Sequence, residues 1–402
     1  MAGTVVQGMV GTEEQLGPSA ATTAEGEKVI DMDDRIRALK PDATQFSTMT
    51  DKTPSQQATR EKVNWLEEED FPRLVTGDAQ TSGSTALNLN SGQGKIVAAN
   101  DLIRNMRSGE AMRIVSVTTD ALVVARGIGS IAAAATNAGD QYLVVADAEP
   151  QGSDLPNARY LQRVLGYNFT QITRTPWTFT ATDTAIEKVG GREPAKEAKR
   201  KAREHKRKWE AILFWGARSF TASSATNTEP QGTCGGMIEY IQTVKRDANG
   251  PLTATFFDTF LMDVMANGST DKVLFAAPLV ALNMAQWNRS GMGSQWQPTP
   301  ENVHGVHVDA FISGAYGYRV PVVVKKEWSE FPTANKGYGT YAFLVDMEYV
   351  QQRPLRDRDT KLLTEQQPKG RDSYSAEYLR EASFECVHER AHGILYGVTA
   401  PP

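Results

Sequence analysis

Apolar residues are spread unevenly along the chain, and their spacing changes character several times. Over residues 95–148 they come in short β-branched runs. Ile114-Val115-Ser116-Val117 and Leu122-Val123-Val124 flank the turn Thr119-Asp120, and Tyr142-Leu143-Val144-Val145 follows. Runs of this length bounded by turn residues predict strands, here a compact β module. Shorter strand-like stretches are expected at 63–65, 167–173 and 177–182. The small, polar residues from Gly77 to Gly94 predict a long loop.

The period then switches to that of a helix. Gly190-Gly191 breaks the chain, and Pro194 suits a first helical position. Ala195, Ala198, Ala202, His205, Trp209, Ile212 and Gly216 recur at spacings of three and four, which places them on one face. Lys196, Lys199, Arg200, Arg203, Lys206 and Arg207 fall opposite. The spacing predicts a helix over 194–215, roughly 30 Å long. Its mainly alanine seam would let it lie close to a sheet.

After a polar loop at 219–234, Phe256, Phe257, Phe260, Leu261, Val264 and Met265 mark an amphipathic helix stopped near Gly268. A buried strand is expected at 273–276, a helix at 279–287, and strands at 303–312, 319–324, 341–345 and 381–388. Helices and strands mix without a strict βαβ rhythm, which argues for an α+β fold.

Composition narrows the options. The 402 residues carry a formal net charge of -5, so average charge does not equip the chain to grip nucleic acid. Two cysteines, Cys234 and Cys386, make neither a disulfide framework nor a zinc cluster. The start lacks the basic and apolar regions of a signal peptide, and the apolar stretch around 273–282 is too short to span a bilayer, so a soluble protein is expected. Residues 1–28, rich in Gly, Ser, Thr, Ala and Glu, predict a flexible arm, with a short helix over 31–39.

Three motifs imitate chemistry. His388-Glu389-Arg390-Ala391-His392 matches the HExxH pattern of zinc peptidases, which needs both histidines on one helical turn and a further ligand. Its approach alternates like a strand, Gly393 follows at once, and the ten residues after His392 include no His, Asp, Glu or Cys. Gly127-Ile128-Gly129-Ser130-Ile131-Ala132 echoes a dinucleotide fingerprint, with Asp147 downstream, but it follows a hairpin rather than the first strand of a βαβ unit. A turn into an alanine-rich segment fits better. The basic helix face is either solvated or turned to acidic partners; the chain supplies such partners in Glu67, Glu68, Glu69 and Asp70. His304 and His307 fall on opposite faces of an expected strand, and His205 lies in the helix seam as a core residue. No catalytic, cofactor or metal site is expected.

Several segments together resemble the major head proteins of tailed bacteriophages with the Hong Kong 97-type capsid fold. They are Pro41-Asp42-Ala43-Thr44-Gln45-Phe46 before Trp65-Leu66-Glu67-Glu68-Glu69-Asp70; Ser108-Gly109-Glu110 and Val123-Val124-Ala125-Arg126-Gly127; Asn168-Phe169-Thr170-Gln171-Ile172; the helix ending Trp209-Glu210-Ala211-Ile212-Leu213-Phe214-Trp215-Gly216; and Ala391-His392-Gly393. The likeness runs from about 31 to 397 and is most similar to a long-chain branch with an inserted β module.

The resemblance implies an N-terminal arm (1–65), an extended loop (66–180) carrying the module, a peripheral domain with a spine helix (181–234, completed by 341–402) and an axial domain (235–340). It implies a structural protein, not an enzyme, that needs no cofactor. Such subunits form pentamers and hexamers of an icosahedral virion shell assembled in the host cytoplasm. The partners implied are other copies, a portal, a scaffold, decoration proteins and packaged double-stranded DNA held non-specifically, with no membrane. Opposite charge between the 196–208 face and residues 67–70 of a neighbouring copy is expected to fix registry. Rival readings are another virion part, in decoration or tail, and a zinc peptidase using His388, Glu389 and His392.

Overall fold

The computed structural model describes residues 44–53, 55–186, 193–224, 228–289, 296–303, 306–312 and 319–401. The expected arm over 1–28, the helix expected at 31–39 and His304 lie outside them. The chain forms two compact units, one using residues up to Val63 and from Asn168 onward, the other Asn64–Tyr167.

Helix α1 (Gln45–Thr50) opens the first unit. Its N-cap residue, Thr44, makes no side-chain cap. A distant carboxylate does that work: Glu210 accepts from the N–H groups of Phe46 (2.9 Å) and Ser47 (2.6 Å) and pairs with the buried Lys325 ammonium. Free N–H groups at a helix start favour an anion.

Strand β1 (Lys62–Glu67) carries the chain into the second unit. There β2 (Leu74–Gly77), β3 (Ala86–Asn88), β4 (Asp101–Asn105), β5 (Ala111–Thr118), β6 (Ala121–Ile128) and β7 (Asp140–Asp147) build a six-stranded antiparallel sheet in the order β2-β7-β4-β5-β6-β3. Strand β8 (Val164–Phe169) returns and pairs with β1. Alternation sends Met112, Ile114, Leu122 and Val124 into one core with Val75, Leu87, Ile103 and Tyr142, while Val115 and Val123 face out.

The module therefore begins near residue 74, not 95, and the loop expected over 77–94 is a correction. That stretch supplies β3 and the buried Leu87 and Leu89. Its small, polar composition reflects close packing: a Cβ on Gly94 would lie 1.7 Å from the Thr119 carbonyl oxygen. Asp120 binds the N–H groups of Gly92 (3.0 Å) and Gly94 (2.8 Å), which fixes the turn.

The first unit resumes with β9 (Gln171–Thr180), α2 (Ala181–Ala185), α3 (Glu193–Trp215), β10 (Ser219–Thr221), β11 (Gln231–Thr233), α4 (Met237–Tyr240) and β12 (Lys245–Pro251). Next come α5 (Ala254–Met265), β13 (Lys272–Ala276), α6 (Pro278–Arg289), β14 (Trp296–Val303), β15 (Val306–Ile312) and β16 (Arg319–Val324). The chain ends with β17 (Ala342–Asp346), β18 (Val350–Pro354), β19 (Lys361–Leu363), β20 (Ser373–Cys386) and β21 (Gly393–Thr399). A mixed seven-stranded sheet runs β12-β21-β17-β13-β16-β15-β14, and a four-stranded sheet joins β9, β18 and β19 to β20. The expected α+β class is the observed one.

Several boundaries differ from expectation. The strand expected to reach 182 stops at Thr180, whose hydroxyl caps α2 by accepting from Asp183 N–H at 3.1 Å. The polar loop expected at 219–234 contains the hairpin β10–β11. The strand expected at 303–312 is β15, with β14 antiparallel beside it. β20 begins eight residues before the expected 381.

Helix α3 matches its expected span, but its buried seam lies further along. Trp209, Leu213 and Phe214 are fully buried, while Ala195 is exposed and Ala198 and Ala202 are half-buried. The helix is anchored by its C-terminal half. There Phe46 sits 4.8 Å from the Phe214 ring and 4.9 Å from Phe275, at the centre of an aromatic core that includes Trp328 and Phe343.

Candidate assembly surface

The acidic cluster straddles a strand end. Glu67 closes β1 and accepts from Trp65 Nε1 at 2.7 Å. Glu68 meets Arg163 at 3.0 Å, with both side chains largely in solvent. Glu69 and Asp70 follow on an exposed coil.

On α3, Lys199, Arg200, Arg203, Lys206 and Arg207 are exposed and Lys196 is half-buried. Part of this charge is met within the chain: Arg200 pairs with Glu197 one turn back, and Arg207 with Glu327. Lys199 and Arg203 project from the same helix face into solvent. Exposed pairs and single charges contribute little to stability, at most about 1 kcal/mol each.

The apparent peptidase motif is built for packing. β20 ends at Cys386, and His388 adopts a left-handed φ of 54°. A single 3-10 turn, Glu389–Ala391, leads to His392 at the start of β21. His392 is fully buried. Its Nδ1 accepts from the Asp346 N–H at 3.1 Å, so its Nε2 carries the proton and faces the Val387 carbonyl at 3.2 Å. Burial pulls its pKa down to about 4. Glu389 instead takes the Thr243 hydroxyl and the Gln242 N–H, and His388 stands edge-on to Tyr349. Both ring nitrogens of His392 are engaged, and among the described residues no cluster of three His, Cys, Asp or Glu could hold a metal.

The glycine motif serves a buried carboxylate. Glu110, fully buried, takes a two-pronged bond from Arg126, with Nη2–Oε2 at 2.7 Å and Nε–Oε1 at 3.0 Å. It also accepts from the N–H groups of Gly127 (3.2 Å) and Ala134 (3.0 Å). Gly127 (φ 65°) and Gly129 (φ 92°) let the chain wrap round it.

Reading by period missed one surface, the coil after β7. From 153 to 163 it has no regular structure, yet its polar side is tied down: Arg159 bonds Asp101 and the Ile96 carbonyl, both at 2.8 Å. Its apolar side chains face solvent, with Leu155 95% and Tyr160 85% exposed, and Leu161, Val164 and Leu165 exposed beside them. The available signal was apolar residues lying among Pro150, Gly152 and Pro156 with no periodic partners.

A family model described as the SU10 major capsid protein matches residues 12–399. The chain belongs to that family. It is a family of structural capsid proteins, not of enzymes. This capsid-family chain is also 28% identical over 214 residues to the major capsid protein of Pseudomonas phage PaMx41, an alignment covering 50% of each chain. It thus spans about half the length of that curated relative. Among solved structures it is similar to the capsid of a native GTA particle (11% identity, 95% of this chain and 100% of that one, TM-score 0.48) and to the capsid of Myoviridae phage XM1 (11% identity, 92% and 96%, TM-score 0.46).

Proposed function

We propose that this chain is the shell-forming subunit of a tailed-phage head with the Hong Kong 97-type fold, associating into pentamers and hexamers around packaged double-stranded DNA. The observation that carries the reading is the family match over 12–399. In this reading Asn64–Tyr167 is the extended loop with its inserted module, α3 is the spine helix of the peripheral domain, and residues 235–340 form the axial domain. A portal, a scaffold and decoration proteins are the further partners, and the assembled virion is the destination.

The exposed coil supports self-association. A monomer gains nothing from holding Leu155 and Tyr160 in water, while a neighbour covering them removes apolar surface at about 25 cal/mol per Å². Its intramolecular ties hold the coil ready without spending those side chains. Lys199 and Arg203 on α3, facing Glu69 and Asp70 of another copy, would set registry rather than strength.

Electron microscopy of the protein expressed alone tests the reading: closed shells are expected, and tubes or free oligomers would favour a tail or decoration part. L155S/Y160S should abolish particles while leaving a folded subunit. K199E/R203E should yield few or irregular particles, and shells of normal yield and salt stability would refute the charge registry.

A further inference from the structure

Two Asn-Gly pairs occur in the chain, Asn249-Gly250 and Asn267-Gly268. An asparagine before glycine is open to attack by the next main-chain nitrogen, because glycine has no Cβ to shield that atom. The fold sets the two pairs in different places. Asn249-Gly250 lies in β12, where Gly250 pairs with Val398 of β21 and the Asn249 N–H donates to Asp247 Oδ1 at 3.0 Å. Asn267-Gly268 forms the turn between α5 and β13, with both residues exposed.

Only glycine fits at this turn. Its φ is 77°, and a Cβ would lie 2.6 Å from Asp346 Oδ2 and 2.7 Å from the Ala391 Cβ. Among the described residues, neither the Gly268 N–H nor the Asn267 carboxamide makes a hydrogen bond. The nitrogen and the group it would attack are therefore both unoccupied.

The peptide bond between the two residues is polarised from below. The Asn267 carbonyl accepts from Lys272 Nζ at 2.9 Å, and this buried ammonium also bonds Asp346 at 2.9 Å and the Ala391 carbonyl at 2.7 Å. A cation on that oxygen draws electron density from the peptide group. It stabilises the amidate formed when the Gly268 nitrogen loses its proton, as a fixed donor stabilises any developing oxyanion.

We infer that Asn267 is a site of self-modification, deamidating with Lys272 as the activating group. Hydroxide takes the Gly268 N–H proton, and the nitrogen bonds to Asn267 Cγ. The carboxamide C–N bond breaks, and ammonia leaves with a proton from water. Water then opens the cyclic imide, which leaves aspartate or isoaspartate at 267. The turn that reacts also clamps the ion pair: the Ser269 N–H and hydroxyl each reach Asp346 at 2.7 Å. Isoaspartate adds a methylene to the main chain there, which moves Ser269 off Asp346 and the 267 carbonyl off Lys272. The modification thus loosens the buried pair that joins β13 to β17.

Ageing the full chain in warm buffer tests this. Peptide mapping by mass spectrometry counts amide-to-acid conversion at each Asn-Gly pair, and isoaspartate methyltransferase labelling identifies the product. In the folded chain Asn267 should convert at least about tenfold faster than Asn249. In urea, where the ion pair is gone, the two rates should converge. N267S, at an exposed position, should keep its Tm through an ageing period that lowers that of the unmodified sequence. An intact amide at 267, or conversion no faster than at 249 in the folded chain, would overturn the inference. An equal bias persisting in urea would do so as well, since it would assign the reactivity to local sequence and not to Lys272.

Discussion

The two units of this chain bury charge in different ways. Asn64–Tyr167 does it locally and with arginine: Arg126 grips Glu110 sixteen residues away, and Arg107 binds Asp140 through Nε at 2.8 Å and Nη2 at 2.9 Å. The other unit also meets buried carboxylates with arginine, as in Arg353–Glu385, but its two most deeply buried pairs use lysine and distance. Lys272 joins Asp346 at 2.9 Å across 74 positions, and Lys325 joins Glu210 across 115. That unit also buries two neutral histidines, His205 and His392, whereas residues 64–167 contain none. The smaller unit is a closed local circuit. The larger is stapled together from remote segments, and each staple is a point where it can open.

Breaking one staple in each unit should give the largest effects. E210A removes the counter-charge of the buried Lys325 ammonium, leaving it only a neutral acceptor such as Gln45 Oε1 at 2.9 Å, and takes the acceptor from two α1 N–H groups; it should cost about 3–5 kcal/mol. R126A, which strands Glu110, should cost about 3 kcal/mol. Urea unfolding measures the loss, and hydrogen exchange read by mass spectrometry locates it. E210A should deprotect α1 and α3 but spare β4–β7, and R126A the reverse. Equal deprotection of both units by either variant would erase the distinction.

Acid comes next. His392 titrates near 4 in the fold, below its ordinary 6.5, because burial disfavours the charged ring. Between those values the unfolded chain binds the proton and the folded chain does not. Stability is therefore full above pH 6.5 and declines as pH falls toward 4, by about 3 kcal/mol in all.

The smaller unit should hold on longer. Burial alone would raise the Glu110 carboxyl, but Arg126 and two backbone N–H groups outweigh it and hold it below the usual range. The Arg107 hydrogen bonds first, then Asn105 and the Asn137 N–H, hold Asp140 lower still against burial. Both groups stay ionised in the fold below their ordinary value of about 4, and their contribution to stability stays full until pH drops to about that value, where the unfolded chain begins to take up protons. Exchange protection at pH 5 should be weakened in β17 and β21 and intact in β4–β7. H392Q, whose amide can accept and donate in the same places, should flatten the slope above pH 4.

Smaller effects complete the ranking. The Thr253 hydroxyl caps α5 through the Phe256 N–H at 3.3 Å, and T253A should cost about 1 kcal/mol in the larger unit. E68A, which removes the exposed partner of Arg163, should shift stability by less than 1 kcal/mol, and less again in high salt.

What the sequence disclosed tracks how each element earns its stability. α3, α5, α6 and β13 carry their own apolar period, so spacing alone finds them within a residue or two. β12 (Lys-Arg-Asp-Ala-Asn-Gly-Pro) carries none; it exists because β21 pairs with it in parallel. α1 was invisible for a similar reason, since its cap is Glu210 on another helix. The charged residues of the assembly surface were legible as runs, but which of them are already paired was not. Glu327, the partner of Arg207, lies 120 positions away. The exposed coil was hidden because period-based reading looks for apolar residues that find partners within their own element.

The place of β21 has a consequence in time. The last regular strand of the chain sits between β12 and β17 in the seven-stranded sheet. On the ribosome, β12 and β17 are made before the strand that joins them, so this sheet stays split until β21 has left the exit tunnel. The 64–167 segment faces no such wait; every strand of its sheet has left the exit tunnel long before β21 is made. Each nascent chain thus carries a finished module beside an unfinished body until β21 emerges.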